Sequence, residues 1–396
     1  MPPMRRIVVV GAGLAGHRTT VALREQGYDG ELVVVGDEAH VPYDRPPLSK
    51  QVLAGTFTAD QCLFPSGELD ATWRLGVAAL RLDPAAHVVR LADGSSLTYD
   101  GLVIATGRRA RPWPTPLPAG ASTLRTLDDA IALRDNVSGD SRVVIVGAGF
   151  IGCEVAASLR GLGIASVTVA DVAPLPMPVL GPEVGRRAEA LHRAQGVDFR
   201  LGGGVAAVTG SRVALRSGEL LPADRVLVAT GSLPNTGWLA DAGLRMAAGA
   251  VEVDRHCHAL TASCGPLDEV VAVGDVAAWA YPEGDGAPAS IEHWSNARDM
   301  AACAAANLLR PAEEREPLAS VPTFWSDQYH VKIKSAGHLR AADSWRVVAE
   351  DAEKPSLVVE ALRGGSLVGA VVMNANRAII DYTRALQARL GEPLGV

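Results

Sequence analysis

Cysteine is scarce in this 396-residue chain: Cys62, Cys153, Cys257, Cys264 and Cys303 are scattered, and no C-x-x-C pair is present. Neither a redox-active dithiol nor a disulfide-dense secreted scaffold is signalled, and a reducing compartment is expected. Positive charge is also in deficit, with 37 Lys plus Arg against 44 Asp plus Glu for a formal net charge of −7. Without a basic stripe or tail, the chain does not read as a nucleic-acid binder. A local basic patch for an acidic protein stays open, because steering depends on local potential. No apolar run reaches about 18 residues, and Met1 to Arg6 is too short for a secretory leader, so a soluble cytoplasmic protein without membrane attachment is expected. The 41 glycines and 25 prolines form no G-x-y period and no Pro-rich block, which removes collagen-like and linker readings.

What is present is a globular balance, 48% hydrophobic and 20% charged, with room for two or three domains. Ile7 to Val10 is an all-apolar run of the kind a doubly covered parallel strand requires. Gly11-Ala12-Gly13-Leu14-Ala15-Gly16 follows, then a helical segment to about Gln26 and a second apolar run, Leu32 to Val35. In this strand, turn, helix and strand order, the first glycine permits the turn, the second leaves room for a pyrophosphate and the third lets helix and sheet approach. Asp37 or Glu38 lies at the offset expected for the residue that binds the adenosine ribose.

The unit returns at Val143 to Val146, Gly147-Ala148-Gly149-Phe150-Ile151-Gly152, a helix to about Leu162 and Val167 to Val169, ending near Asp171. Two dinucleotide sites suggest a flavoenzyme, with FAD held at the first and exchangeable NADH at the second. The Asp171 carboxylate would repel the extra phosphate of NADPH, although Arg186 and Arg187 lie nearby in sequence. Leu102-Val103-Ile104-Ala105-Thr106-Gly107 and Val226-Leu227-Val228-Ala229-Thr230-Gly231 are a second repeated pair, each a strand returning to its own site. Pro112, Pro114, Pro116 and Pro118 form a stiff connector, where the first boundary is placed. Glu269 to Val273 is a further strand, stopping at Gly274-Asp275, and Ser290 to Leu309 reads as a long buried helix. From about Ala319, alternating segments and a terminal helix from Asn376 predict a small antiparallel sheet with one helix.

Together these motifs resemble the FAD-dependent, NADH-linked ferredoxin reductases that supply bacterial haem-thiolate monooxygenases and Rieske-type dioxygenases. The distinguishing stretch is Pro42-Tyr43-Asp44-Arg45-Pro46-Pro47-Leu48-Ser49-Lys50, joined by Leu124-Arg125-Thr126-Leu127-Asp128-Asp129, Gly274-Asp275-Val276-Ala277, Glu292-His293-Trp294 and Phe324-Trp325-Ser326-Asp327-Gln328. The resemblance implies an α/β chain of two Rossmann-like domains, glutathione reductase-like, plus a small α+β carboxy-terminal domain. Its FAD domain would comprise 1–112 and 245–318, its NADH domain 113–244 and its interface domain 319–396.

Gly11, Gly13, Ala15, Gly16, Asp37, Glu38, Arg45, Lys50, Ala105, Thr106, Gly107, Arg125, Gly274, Asp275, Glu292, His293, Trp294 and Trp325 are thereby expected at FAD. Gly147, Gly149, Ile151, Gly152, Asp171 and Gly231 are expected at NADH. Lys50 near flavin N5, its partner Glu154, and Trp325 are the candidate catalytic residues, and no metal site is expected. The implied partner is a small iron–sulfur ferredoxin, of 2Fe-2S or 3Fe-4S/4Fe-4S type, and through it an oxygenase; the chain itself would be a monomer or weak homodimer. An acidic ferredoxin would meet some of Arg45, Arg298, Lys332 and Lys334. An NADH oxidase, a monodehydroascorbate-like reductase and a non-enzymatic flavin-based sensor are the rivals. The chain departs from the family pattern at His330, where a glycine is usual and positive φ would be strained, at Lys334, and across Asp254 to Asp268 with His256, Cys257, His258 and Cys264.

Overall fold

A computed structural model describes residues 4–281, 286–351 and 356–390. The first fingerprint forms β1 (Arg6–Val10), α1 (Leu14–Glu25) and β2 (Glu31–Val35), and β3 (Gly101–Ile104) returns beside β1. After α2 (Leu127–Asp135), the second fingerprint forms β4 (Arg142–Val146), α3 (Phe150–Gly161) and β5 (Ser166–Ala170). It is completed by α4 (Pro182–Ala194), β6 (Val197–Arg200) and β7 (Arg225–Val228). Every strand of these central ladders is parallel to its neighbours, with order β2-β1-β3 in one sheet and β6-β5-β4-β7 in the other. Parallel strands covered on both faces need uninterrupted apolar runs, and Ile7 to Val10, Leu102 to Ile104 and Val143 to Val146 are buried throughout.

β8 (Pro266–Ala272) re-enters the first sheet parallel to β3, carrying Gly274-Asp275 to the carboxyl end of the sheet where the first fingerprint turns. α5 (Trp294–Leu309) packs against α1 through small side chains, with Ala297, Ala301, Ala304 and Ala305 all buried. It starts later than the alanine-rich composition predicts, because 290–293 carry no helix and Glu292 and His293 instead line a cavity. Pro112 to Pro118 carry no regular element, and Trp113 and Leu117 among them pack on the second sheet.

The carboxy-terminal part is an antiparallel sheet of β9 (Thr323–Gln328), β10 (Val331–Gly337), β11 (Ser344–Asp351), β12 (Ser356–Arg363) and β13 (Ser366–Met373), in the order β9-β10-β13-β12-β11. One face takes α6 (Asn376–Arg389) through Ile379 and Leu386. The other joins Met177, Leu180, Val184 and Cys153 of the second unit to Val331, Ile333, Leu357 and Val359. This shared apolar cluster seats β9 over α3. The β9–β10 hairpin answers the question of His330: the left-handed residue of its two-residue loop is Tyr329 (φ 55°), so His330 escapes the strain expected of it.

Candidate functional site

At the first turn, two glycines are dictated by contact. A Cβ on Gly11 (φ 118°) would lie 2.2 Å from Ala105 O, and one on Gly16 would lie 1.8 Å from Gly11 O. Gly13 differs, since its Cβ would meet nothing nearer than Arg45 Nη2 at 4.0 Å. Its bareness leaves the start of α1 open, and that helix has neither a side-chain cap nor an acid in its first turn. Unpaired N–H groups there suit an anion such as a pyrophosphate.

A cavity of about 550 Å³ runs from this turn past β2, β3 and Asp275 to Trp294, Trp325 and the start of α3. Of the residues expected at FAD, Gly11, Gly13, Ala15, Asp37, Glu38, Arg45, Lys50, Ala105, Thr106, Gly107, Arg125, Asp275, Glu292, His293, Trp294 and Trp325 line it. Gly16 and Gly274 stand behind the wall. Gly16 packs under the turn, and Gly274 (φ 72°) packs against Ala15 and Ala297. Glu38 accepts from Tyr43 Oη at 2.5 Å and from Arg45 Nη2 at 2.5 Å, which leaves Asp37 the more open of the two acids. Strand register makes Gly36 the counterpart of Asp171, since Val10–Val35 and Val146–Ala170 are the last pairs in each ladder. A Cβ on Gly36 would lie 2.6 Å from Ala12 Cβ, and the acidic pair follows one and two positions further on.

Arg125 Nη2 lies 3.5 Å from the Asp275 carboxylate. Burial pushes the Asp275 carboxyl up and Arg125 opposes it. A half-buried acid facing a cavity is suited to hydroxyl partners, and two guanidiniums on the wall of the same cavity are suited to phosphates. The lining therefore fits an adenosine pyrophosphate joined to a polyhydroxyl chain and a ring system, as in FAD.

At the far end Lys50, on the single turn Leu48–Val52, places Nζ 2.6 Å from Glu154 Oε2. Glu154 is 4% exposed on α3, a burial that its place on a helix after Ile151 and Gly152 did not signal. Its other donors are Ser49 Oγ at 2.5 Å and Ser326 Oγ at 2.6 Å. Trp294 Nε1 donates to Asp44 Oδ1 at 2.9 Å, and burial raises the Asp44 carboxyl despite that bond and nearby Arg18 and Lys50. Phe150 and Phe324 meet at 4.1 Å between ring centroids, closing the wall beside Trp325.

The second turn repeats the first. A Cβ on Gly147 (φ 114°) would lie 2.3 Å from Ala229 O, one on Gly152 would lie 1.9 Å from Gly147 O, and Gly149 is open. Asp171 accepts from Ala148 N at 2.5 Å and from Ala173 N at 2.7 Å. Gly147, Gly149, Gly152, Asp171 and Gly231 lie outside this cavity, whereas Ile151, Phe150 and Glu154 line it. α3 thus begins at one nucleotide turn and reaches into the other compartment. Arg186 pairs with Glu183, and Arg187 with Glu183 and Glu350.

Of the four cations some of which were expected to face a partner, two lie together. Arg45 is inside the cavity on Glu38, and Arg298 pairs with Asp299. Lys332 and Lys334 instead line a separate groove of about 600 Å³ with Arg384, Asp327, Ile380 and Thr383, and Trp325 and Phe324 are common to groove and cavity. Sequence reading missed Arg384, whose place on α6 only the packed helix reveals. It also missed Ser49, Ser326 and Arg108, the last pairing with Glu292 at 3.2 Å. For Ser326 a signal existed, because alternation along β9 puts it and Gln328 opposite Trp325 and Asp327. Among the described residues no group of three or more His, Cys, Asp or Glu could hold a metal ion, and no helix is long and apolar enough to cross a membrane.

Two fingerprint units around one shared cavity, with an antiparallel sheet closing its far end, define a two-dinucleotide oxidoreductase. The chain belongs to the pyridine nucleotide-disulphide oxidoreductase family, whose model matches residues 5–301, and a reductase C-terminal model matches 323–392. It is 35% identical to rhodocoxin reductase of Rhodococcus erythropolis over 94% of this chain and 87% of that one. Against the anthranilate 1,2-dioxygenase system ferredoxin–NAD(+) reductase component of Burkholderia cepacia the identity is 36%, over 96% and 94%. Among solved structures, Fdr9 matches with a TM-score of 0.86 at 38% identity, over 97% of this chain and 95% of that one. Putidaredoxin reductase in its covalent complex with putidaredoxin matches with a TM-score of 0.87 at 30% identity, over 98% and 96%.

Proposed function

We propose that this chain is an FAD-dependent reductase that takes hydride from NADH and delivers single electrons to a small iron–sulfur ferredoxin serving an oxygenase. The observation that carries this reading is a cavity with a lysine–glutamate pair at its ring end and no cysteine among its lining residues. Cys62 and Cys153 are both buried behind the wall, and burial pushes the Cys153 thiol up, away from the reactive thiolate. Electrons then leave for an external carrier rather than an internal dithiol, in keeping with relatives named as ferredoxin reductase components.

When bound, FAD supplies the conversion of a two-electron hydride into one-electron output. Residues 1–112 and 245–318 would hold it. Gly11 and Gly13 make room for its pyrophosphate, Arg45 and Arg125 neutralise it, and Asp275 accepts from the polyhydroxyl chain. Lys50 presents a cation beside the ring, ordered by Glu154, and Trp294 and Trp325 pack at the ring end. Segment 113–244 would hold NADH through Gly147, Gly149 and Asp171. The groove of Lys332, Lys334 and Arg384 beside Trp325, within 319–396, offers positive charge and an apolar shelf to an acidic ferredoxin.

Stopped-flow spectroscopy tests the reading. NADH is expected to bleach the bound flavin rapidly and NADPH slowly, with added ferredoxin restoring the oxidised spectrum. Slow bleaching by both nucleotides overturns the nicotinamide assignment. Rapid bleaching with no reoxidation by any ferredoxin overturns the ferredoxin assignment.

A further inference from the structure

We propose that Ser326 is a positioning residue for Lys50, acting from the carboxy-terminal sheet through the carboxylate of Glu154. The two oxygens of Glu154 have divided partners. Oε2 accepts from Lys50 Nζ at 2.6 Å and Ser49 Oγ at 2.5 Å, while Oε1 accepts from Ser326 Oγ at 2.6 Å. A carboxylate turns easily about its last bond, whose torsion is broad, so partners on one oxygen alone leave its plane poorly fixed. Ser326 supplies the donor on the other oxygen and thereby aims Oε2 at the lysine.

Ser326 is itself held in place. It is fully buried, and Gln328 Nε2 donates to its Oγ at 3.1 Å, leaving the serine hydrogen for Glu154. Gln328 Oε1 lies 2.9 Å from His192 Nε2, and Tyr329 Oη lies 3.0 Å from His192 Nδ1. This arrangement is consistent with one neutral tautomer, in which His192 donates to Gln328 and accepts from Tyr329. The chain of contacts therefore runs from a lysine in the first unit, through a glutamate on α3, to β9 and back to α4. Two separate parts of the polypeptide, 49–50 and β9, converge on one carboxylate carried by a third.

Strand alternation gives the arrangement a consequence. Trp325 faces the cavity and the groove, while Ser326 faces Glu154 from the opposite side of β9. Any movement of β9 displaces the aromatic wall and the lysine's anchor together. The carboxy-terminal sheet is then part of what sets the lysine, in addition to covering the cavity.

The inference rests on the proposed function only for Lys50's role beside the flavin, and the experiment separates the two. The chain has four lysines, Lys50, Lys332, Lys334 and Lys354, so amine acylation of the intact, as-isolated protein can be read lysine by lysine by mass spectrometry. Ser326→Ala is expected to raise the acylation rate of Lys50 about fivefold, the equivalent of one net hydrogen bond, without changing that of exposed Lys332. Ser326→Thr, which keeps the hydroxyl, is expected to restore the slow rate. Should the alanine variant not fold, Ser326→Cys, of similar size and a weak donor, carries the same comparison. Unchanged Lys50 acylation in these variants overturns the proposal.

A second arm uses flavin bleaching by NADH in a double-mutant cycle. Ser326→Ala is expected to slow bleaching in the wild-type background and to have no further effect in Lys50→Met. Additive losses overturn action through Lys50. If Lys50→Met bleaches at the wild-type rate, the function assigned to Lys50 fails, while the acylation result still decides what positions it.

Discussion

The carboxylate of Asp171 accepts from the backbone N–H of Ala148 at 2.5 Å, pinning the end of β5 to the second glycine turn. Asp171 is proposed to bind an adenosine ribose, where a ribose phosphate would meet its charge at close range. Asp171→Ala is expected to raise the KM for NADH about tenfold, a loss of about 1.4 kcal/mol, while changing kcat little. The ratio of kcat/KM values for NADH and NADPH narrows in the same variant. Steady-state kinetics with both nucleotides checks this, and unchanged constants would remove Asp171 from the ribose.

Lys50 and Glu154 form a buried ion pair, and deleting one partner leaves the other charge stranded. Lys50→Met is expected to fold and retain FAD but to slow flavin reduction by NADH at least about tenfold, as loss of a charge-assisted contact of about 1.5–3 kcal/mol implies. Single-turnover absorbance spectroscopy measures it. A wild-type rate would show that the cation plays no part in hydride transfer.

Lys332 and Arg384 line the groove next to Trp325 without touching the cavity. Charge reversal at either position, Lys332→Glu or Arg384→Glu, is expected to raise the KM for an acidic ferredoxin. The effect should shrink with added salt, since exposed charges are screened within about 10 Å at 0.1 M. Reduction of a small inorganic acceptor should not change. Loss with the small acceptor as well would place the damage in the cavity instead.

Burial lowers His192 to about 4 from an ordinary value near 6.5, with the Gln328 bond opposing the shift. In the unfolded chain this histidine takes a proton as pH falls through 6.5, while the folded protein resists until about 4. Folding stability therefore falls with falling pH across that window, by up to about 3 kcal/mol, and levels off below it. Thermal unfolding of wild type and His192→Gln from pH 4.5 to 7 checks this: the variant should show the shallower loss of Tm on acidification. Parallel curves would mean that other groups dominate the acid response.

The elements around both glycine turns were legible because they rest on local rules. A buried parallel strand must be apolar throughout, and Gly11 and Gly147 both need positive φ and a missing Cβ. The start of α5 was less legible, since composition favours helix from Ser290 onward while Glu292 and His293 are given to the cavity lining. At Tyr329-His330 the hairpin geometry decided which of two adjacent residues bears the left-handed conformation.

The amino-acid sequence by itself determined the two nucleotide-binding units, their glycines, the acid at Asp171 and the lack of a C-x-x-C pair, because each is written in neighbouring residues or in composition. Tertiary structure decided which charges act together. It turned Arg45 inward to Glu38, set Lys332 and Lys334 beside Arg384, and buried Glu154 between Lys50 and Ser326, which lie 104 and 172 positions away from it. Such pairings depend on how separate sheets pack, and no local pattern records the shape of the space between them.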